Sequence, residues 1–124
     1  AKNYDIVQKR IQEVAELTHS RGKLLKIIIG IGFLRNSAEK ILAARLAMEA
    51  GADFIKFDTG FYDGRANLHD ILLLKDAFGD KIRIKASGKI PSLEDAWAFI
   101  QAGVERLAFR KLVIDRINDK GYSA

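Results

Sequence analysis

Short apolar stretches alternate along the chain with longer segments whose apolar residues recur at helical spacing. The longer segments predict helices over 4–18, from a cap at Ser37 to a stop at Gly51, over 67–78 and over 93–102. The short stretches predict strands over 23–29, 52–57, 81–86 and 104–109, and a last short helix follows over 113–118. Strands that read as nearly continuous apolar runs are typical of a parallel sheet covered by helices.

A repeat supports this α/β organisation. Gly-Ala-Asp at 51–53 and Gly-Val-Glu at 103–105 stand two strand–helix units apart and mark equivalent corners where a helix leads into a strand. Ser92 can cap the helix that follows Pro91, as Ser37 can cap the second helix. Residues 1–124 are therefore predicted to form a single domain, in which an initial helix is followed by four strand–helix units.

Four parallel strands leave two architectures open. A closed (β/α)₈ barrel needs eight strands with a fixed stagger, so this chain can supply only half of one. In the first architecture it is a (βα)₄ half of a TIM barrel, completed by a second copy around a two-fold axis that covers the strand edges. In the second it is an open flavodoxin-like sheet, which the same order of elements permits.

Composition removes several classes of function. The 124 residues include no cysteine, which excludes disulfides, thiolate chemistry and cysteine-ligated zinc. His19 and His69 are far apart and lack ligand-type neighbours, so no metal is expected. The net charge of +5 is spread among acidic residues on helices, and this predicts no nucleic-acid partner. No apolar run reaches the roughly 18 residues of a membrane span, and the first residues lack the apolar segment of a signal peptide; a cytoplasmic protein without a membrane partner is expected.

The candidate chemistry comes from two lysines near the ends of successive predicted strands. Counting by twos puts Lys56 on the strand face of Phe54 and Asp58, and Lys85 on the face of Arg83. A buried ammonium is costly, so such a lysine must be paired, deprotonated or catalytic. An unprotonated amine can attack a carbonyl, and two such lysines facing one interior favour amine chemistry. In the alternative, both side chains extend to solvent and pair with acids.

A resemblance to a known family rests on stretches spread over nearly the whole chain. They are Lys26-Ile27-Ile28-Ile29 with Gly32, Glu49-Ala50-Gly51-Ala52-Asp53-Phe54-Ile55-Lys56, Thr59-Gly60-Phe61, and Lys85-Ala86-Ser87-Gly88 with Ser92-Leu93-Glu94-Asp95-Ala96. In this order and spacing they resemble the C-terminal half of deoxyribose-phosphate aldolase. The resemblance implies a (β/α)₈ barrel in which this chain supplies the helix after strand four and then strands five to eight.

The resemblance also implies roles for individual residues. Lys56 stands where the family's Schiff-base lysine stands, and Lys85 where the family keeps a second lysine whose charge lowers the pKa of the first. Thr59, Gly60 and Gly88 would border the substrate, which would be a small aldehyde or a phosphorylated sugar. No cofactor is implied.

The sequence departs from the family at the carboxyl ends of the strands. The family's Glu-Thr-Gly is here Gly30-Ile31-Gly32, its Gly-Gly-Ile-Arg is Gly88-Lys89-Ile90-Pro91, and its phosphate-binding Gly-Thr-Ser-Ser is replaced by Leu107-Ala108-Phe109-Arg110-Lys111. The family's catalytic aspartate belongs to the other half of the barrel, and Asp58 is the only nearby acid. Changes confined to one face indicate an engineered chain; a diverged or truncated natural paralogue is the alternative.

Two hypotheses for the function follow. In the first, the chain is a half-barrel derived from a class I aldolase that retains the Schiff-base lysine, is impaired or inactive as an enzyme, and self-associates into a barrel-like homodimer. In the second, it is an active class I aldolase or retro-aldolase, a lyase that forms an imine at Lys56 with a small aldehyde.

Overall fold

The structure, a computed structural model, describes residues 3–58 and 65–108. Helices and strands alternate through this part of the chain: α1 Tyr4–Ser20, β1 Lys26–Ile28, α2 Ser37–Glu49, β2 Phe54–Lys56, α3 Leu68–Phe78, β3 Ile84–Ala86, α4 Leu93–Gln101 and β4 Arg106–Leu107. Two 3₁₀ turns, Ile31–Phe33 and Gly79–Lys81, lie between them. The predicted end of the fourth strand at Phe109 and the predicted helix over 113–118 fall outside the described residues.

All four strands are parallel and lie in chain order, β1-β2-β3-β4. Each strand is added beside the one before it, as in the wall of a barrel. In a flavodoxin-like sheet the strand order would instead be β2-β1-β3-β4, because the third strand is added on the other side of the first. The half-barrel prediction is therefore confirmed and the flavodoxin-like alternative is wrong. Within the described residues β1 pairs only with β2 and β4 only with β3, so the sheet has two open edges.

The hydrophobic core lies between one face of the sheet and the helices. Alternate strand residues fill it from the sheet side: Ile55, Phe57, Ile82, Ile84 and Ala86. The helices contribute Ala44, Ala47, Ile71, Leu74, Ala96 and Phe99. Because side chains alternate along a strand, the residues between these core positions belong to the second face of the sheet. That second face, called here the open face, carries Lys56 and Lys85.

Side-chain caps set the starts of three helices. Ser92, a predicted cap, accepts a hydrogen bond from the Asp95 N–H at 3.1 Å. Asn67, predicted as the first residue of its helix, is the cap of α3 and accepts from the Asp70 N–H at 2.8 Å. The prediction for α2 was wrong by one residue. Asn36 caps this helix by accepting from the Glu39 N–H at 2.9 Å, and Ser37 is its first helical residue.

The two corners that the sequence repeat marks share a backbone conformation. Gly51 has φ +102° and Gly103 has φ +99°, a region that side chains rarely adopt. A Cβ at Gly51 would also lie 3.0 Å from the Ala15 Cβ, and one at Gly103 would lie 3.2 Å from Lys75 Cε. Both corners therefore require glycine, because its φ is unrestricted and because a neighbouring element packs closely against it.

The acid after each of these glycines makes equivalent contacts. Asp53 accepts a hydrogen bond from the Leu25 N–H at 2.7 Å and lies 2.7 Å from His19 Nε2. Glu105 accepts from the Ile84 N–H at 2.7 Å and from Lys75 Nζ at 2.8 Å. Burial alone would raise the pKa of Asp53, but the hydrogen bonds from His19 and Leu25 hold it below its usual value. Each acid thus joins its own strand to the neighbouring strand and to an earlier helix.

Among the described residues, most of the exposed large apolar side chains belong to α1, to β1 or to the segments beside β1. The exposed apolar side chains there are Tyr4, Ile6, Val7, Val14, Leu17, Leu24, Ile28 and Phe33. An apolar groove of about 590 Å³ runs between α1, β1 and α2. Surface of this kind beside an open strand edge is typical of an interaction site. None of α1 to α4 combines the length and the apolar composition of a membrane-spanning helix.

Candidate active site

The two lysines that the sequence singles out are neighbours on the open face. Lys56 at the end of β2 is the register partner of Lys85 in β3, and Lys85 is in turn the register partner of Arg106 in β4. Adjacent strands are about 4.8 Å apart, so the bases of these side chains stand side by side. Lys56 and Lys85 are both half-buried. Ile28 in β1 continues the same row beyond Lys56.

A third lysine, not identified as a site residue from the sequence, joins this pair. Lys26 begins β1 and is the register partner of Phe54, so it stands on the same face of the sheet. Burial lowers the pKa of Lys26, and the charges of Lys85, Arg106 and Lys56 lower it further. Its separation in sequence from the strand-end lysines concealed this role, although its place in a strand of the same sheet was a usable signal.

Two arginines complete the group by covering an aromatic ring. The guanidinium carbons of Arg83 and Arg106 lie 4.1 Å and 4.2 Å from the centroid of the Phe54 ring, within the range of cation–π contacts. Phe54 is only 1% exposed, although it stands on the face opposite the helices. These arginines and the three lysines form one group, the basic cluster: Lys26, Lys56, Arg83, Lys85 and Arg106.

The lysines of the basic cluster do not form ion pairs with acids of residues 3–58 and 65–108. Other lysines of the chain do: Lys40 Nζ lies 2.8 Å from Asp70 Oδ1, and Lys75 Nζ lies 2.8 Å from Glu105 Oε1. The alternative in which Lys56 and Lys85 pair with acids at the strand ends is therefore not what the described residues show. Asp58, two residues beyond the end of β2, is buried.

The described residues that directly follow β2 and β3 lie at the rim of the site. The Ser87 hydroxyl donates a hydrogen bond to the Asp58 backbone carbonyl, which joins the two rims. Gly88, a predicted substrate contact, is buried with φ +92°, and Lys89 follows at φ +55°, an unusual value for a residue with a side chain. Positive φ at two successive residues is a conformation that glycine adopts more readily than other residues. Thr59 and Gly60, the other predicted substrate contacts, lie outside the described residues.

The donors present suit amine or anion chemistry better than metal binding. Within the described ranges no three His, Asp or Glu side chains come together as a metal site would require. His19 contacts Asp53 and His69 contacts Asp70, each beside a helix end away from the open face. A row of amines can instead attack carbonyl carbon or hold an oxyanion.

Comparison with known proteins relates the chain to one enzyme family. No family model matches it. A deoxyribose-phosphate aldolase of Thermococcus gammatolerans is 42% identical over 105 residues, 85% of this chain and 46% of the relative. One of Finegoldia magna is 44% identical over 106 residues, 86% of this chain and 48% of the relative. The solved aldolase QR15 superimposes with a TM-score of 0.77 at 36% identity, over 86% of this chain and 47% of its own.

The share of each relative that the chain matches shows how much of those proteins it corresponds to. The chain spans about half the length of the curated relatives it matches. Its strands lie in the order of a barrel wall, and its match to a solved aldolase covers the same share of that protein. The chain is therefore a half-length relative of the deoxyribose-phosphate aldolases, with a fold that corresponds to about half of their barrel.

Proposed function

We propose that this half-barrel retains the amine chemistry of a class I aldolase at Lys56 and is impaired in the later carbon–carbon bond steps. The observation that supports the proposal is the register of β2 and β3, which sets Lys56 beside Lys85 on the open face. Arg106 and Lys26 add two further cations around this pair. The unprotonated amine is the nucleophile in imine formation.

The proposed reaction begins as imine formation. The lone pair of Lys56 Nζ attacks the carbonyl carbon of a small aldehyde, and the carbonyl oxygen takes up a proton to give a carbinolamine. Loss of a proton from nitrogen and of water from carbon leaves the imine. Lys85 would act here as a positioning residue through its charge. Half-burial of Lys56 leaves the amine accessible to a small aldehyde from the open face.

Turnover is expected to be weak because proton-transfer groups are lacking. By resemblance, the aspartate that shuttles protons in the family belongs to the half of the barrel that this chain does not match. General acid–base groups contribute about 10²- to 10⁴-fold to rates. We therefore expect carbon–carbon bond cleavage to be slower than in a full-length relative by about that factor.

The test is trapping with a short aldehyde and borohydride, which reduces the imine to a stable secondary amine. One adduct per chain is expected, mapped to Lys56 by peptide mass spectrometry. In Lys56→Arg, which keeps the positive charge, that adduct should disappear. Lys23→Arg, a change at an exposed lysine of the loop before β1, should leave it intact. Labelling spread evenly over surface lysines would instead favour a half-barrel with no catalytic role.

We also propose that two copies of the chain pair to complete an eight-stranded barrel. The supporting observations are the two open edges of a four-stranded parallel sheet and the apolar groove beside β1. In such a pair the β4 edge of one copy would lie against the β1 edge of the other, which removes both exposed edges. The occupant of the groove region would then be a second copy of this chain.

Light scattering across a range of protein concentrations tests the pairing. The wild-type chain is expected to be a dimer, and Val7→Glu in the groove should shift the equilibrium towards monomer, because a charge would be buried at the contact. Leu72→Glu on α3 is the matched control: both side chains are 50% exposed and helical, but Leu72 lies on the helix between β2 and β3, away from the open edges. Equal effects of the two changes, or a wild-type monomer, would contradict the pairing.

A further inference from the structure

The helices pack side by side in chain order: α1 contacts α2, α2 contacts α3, and α3 contacts α4. At the first of these contacts, the Gln8 side chain of α1 donates a hydrogen bond to Glu49 of α2 at 3.3 Å. Each helix thus turns one side towards the helix before it and one towards the helix after it. Within the described residues no helix precedes α1 and none follows α4, so each of these two has a side without a neighbouring helix.

That side of α1 is apolar. Gln8 and Ala15 mark the side of α1 that packs against α2 and the corner after it. At about 100° per residue, Ile6, Val14 and Leu17 lie together on the side turned away from α2. These three residues, called here the α1 stripe, are 57%, 49% and 60% exposed. An exposed apolar stripe beside the open edge of β1 is typical of an interaction surface.

The corresponding side of α4 carries the single tryptophan of the sequence. Trp97 and Ile100, called here the α4 stripe, lie one turn apart and are 61% and 46% exposed. Ile100 is the eighth residue after the cap of its helix. At the same position Lys75 of α3 bonds Glu105 beside the next strand, and Ala44 of α2 is fully buried. A position that is covered or engaged in α2 and α3 is therefore exposed in α4.

We infer that the α4 stripe of one copy docks on the α1 stripe of a second copy, with two such contacts in each pair. The inference rests on the pairing proposed above. When β4 of one copy lies beside β1 of the other, the helix before β4 becomes the neighbour of the helix before β1. The contact then repeats the side-by-side packing that α1 to α4 already show within one chain.

A second copy fits this surface because one chain carries both halves of the contact. The two stripes lie beside opposite open edges of one sheet, and the chain matches about half of a barrel. A two-fold pair therefore buries both stripes of both copies, and no apolar stripe is left over. Trp97 is the expected anchor, since tryptophan offers a large apolar area and is enriched among the residues that dominate binding energy.

The fluorescence of Trp97 tests the contact, because no other tryptophan contributes to the emission. We expect the emission to move to shorter wavelength, and quenching by acrylamide to fall, as the protein concentration rises through the range in which light scattering shows pairing. Leu17→Glu should prevent both changes. It should weaken pairing about tenfold for each contact, and so about a hundredfold for a pair with two.

Leu72→Glu is the matched control for Leu17→Glu. Leu72 is 50% exposed and is the fifth residue after the cap of α3, as Trp97 is in α4, but it lies away from both open edges. The control should change neither the emission nor the pairing. Circular dichroism checks that each variant is folded.

A mixing experiment tests which stripe meets which. Leu17→Glu and Trp97→Lys should each be largely monomeric alone, because every contact in their pairs carries one changed side chain. In a mixed pair the two changed side chains meet at one contact, where their opposite charges attract, and the other contact is wild type. Equimolar mixing should therefore restore dimers, as measured by light scattering.

The outcomes separate this contact from the pairing itself. A wild-type dimer that Leu17→Glu weakens no more than Leu72→Glu does would overturn the docking of the two stripes and leave the pairing in place. A blue-shifted Trp97 emission that Leu17→Glu does not change would mean that the same chain covers the ring, and would also overturn the contact. A monomeric wild-type chain would contradict both proposals, and imine trapping at Lys56 would be unaffected by any of these results.

Discussion

Replacing Phe54 by alanine is expected to lower the free energy of unfolding by about 3 kcal/mol. The ring is 1% exposed, and it is covered on the open face by the guanidinium groups of Arg83 and Arg106. Its removal leaves a cavity and takes away the apolar surface on which both arginines rest. Since small domains are stable by about 5–15 kcal/mol, this change removes a large part of the total. Urea unfolding followed by circular dichroism measures it.

Phe54→Leu is the control for this experiment. Leucine keeps most of the apolar volume but has no ring for the guanidinium groups, so its expected cost is below about 1.5 kcal/mol. Both variants are compared at one protein concentration, because association would add to the measured stability. A loss below about 1 kcal/mol for Phe54→Ala would mean that the arginines cover the ring without stabilising the fold.

The second large effect is expected at Asp70, a buried acid in the first turn of α3. Its carboxylate accepts hydrogen bonds from Lys40 Nζ and Asn67 Nδ2, both at 2.8 Å. Asp70→Asn should cost about 2–3 kcal/mol, because bonds to a charged group are lost and Lys40 is left without its partner. Asp95 is the matched position in α4, third after the cap Ser92, and it contacts no lysine of the part of the chain that the structure describes. We expect Asp95→Asn to cost below about 1 kcal/mol, and equal costs would contradict the role of Lys40.

The same carboxylate predicts a pH dependence. Burial alone would raise the pKa of Asp70, but hydrogen bonds from Lys40, Asn67 and His69 hold it below the ordinary value of 3.8. The unfolded chain therefore takes up a proton at a higher pH than the folded one. The stabilisation is complete above pH 3.8 and is lost as the pH falls through the lower, folded value. Unfolding curves of wild type and Asp70→Asn should converge over that acidic range and differ at neutral pH.

The helices and their order were predictable because their signals are local. The cap at Ser92 and the glycines at 51 and 103 act on the nearest turn, so they can be recognised in the sequence. The choice between Ser37 and Asn36 was missed because both side chains can accept the same N–H, and only the backbone before the helix decides between them. Strand lengths were overestimated: Lys81, for example, belongs to a 3₁₀ turn, since pairing with neighbouring strands sets where a ladder begins.

The candidate site was predictable in part. Alternation along β2 and β3 brings Lys56 and Lys85 to one face, and the register makes them neighbours. Lys26 was missed because its proximity to Lys85 depends on the lateral order of three strands, which no spacing along the chain contains. The burial of the Phe54 ring could not be predicted from the sequence either. Arginine side chains cover it, and their paths over the ring depend on tertiary contacts.

The repeated corners at Asp53 and Glu105 have a consequence for the opposite end of the sheet. Asp53 accepts a hydrogen bond from the Leu25 N–H before β1, and Glu105 accepts one from the Ile84 N–H in β3. Sliding either of these strands by one residue would break its hydrogen bond. Such a slip would also turn the open-face lysine of the displaced strand towards the helices, Lys26 in β1 or Lys85 in β3. The two carboxylates thus help to fix the register of the parallel strands. The distance between the amines of Lys56 and Lys85 therefore depends on Asp53 and Glu105, two acids that need not contact a substrate themselves.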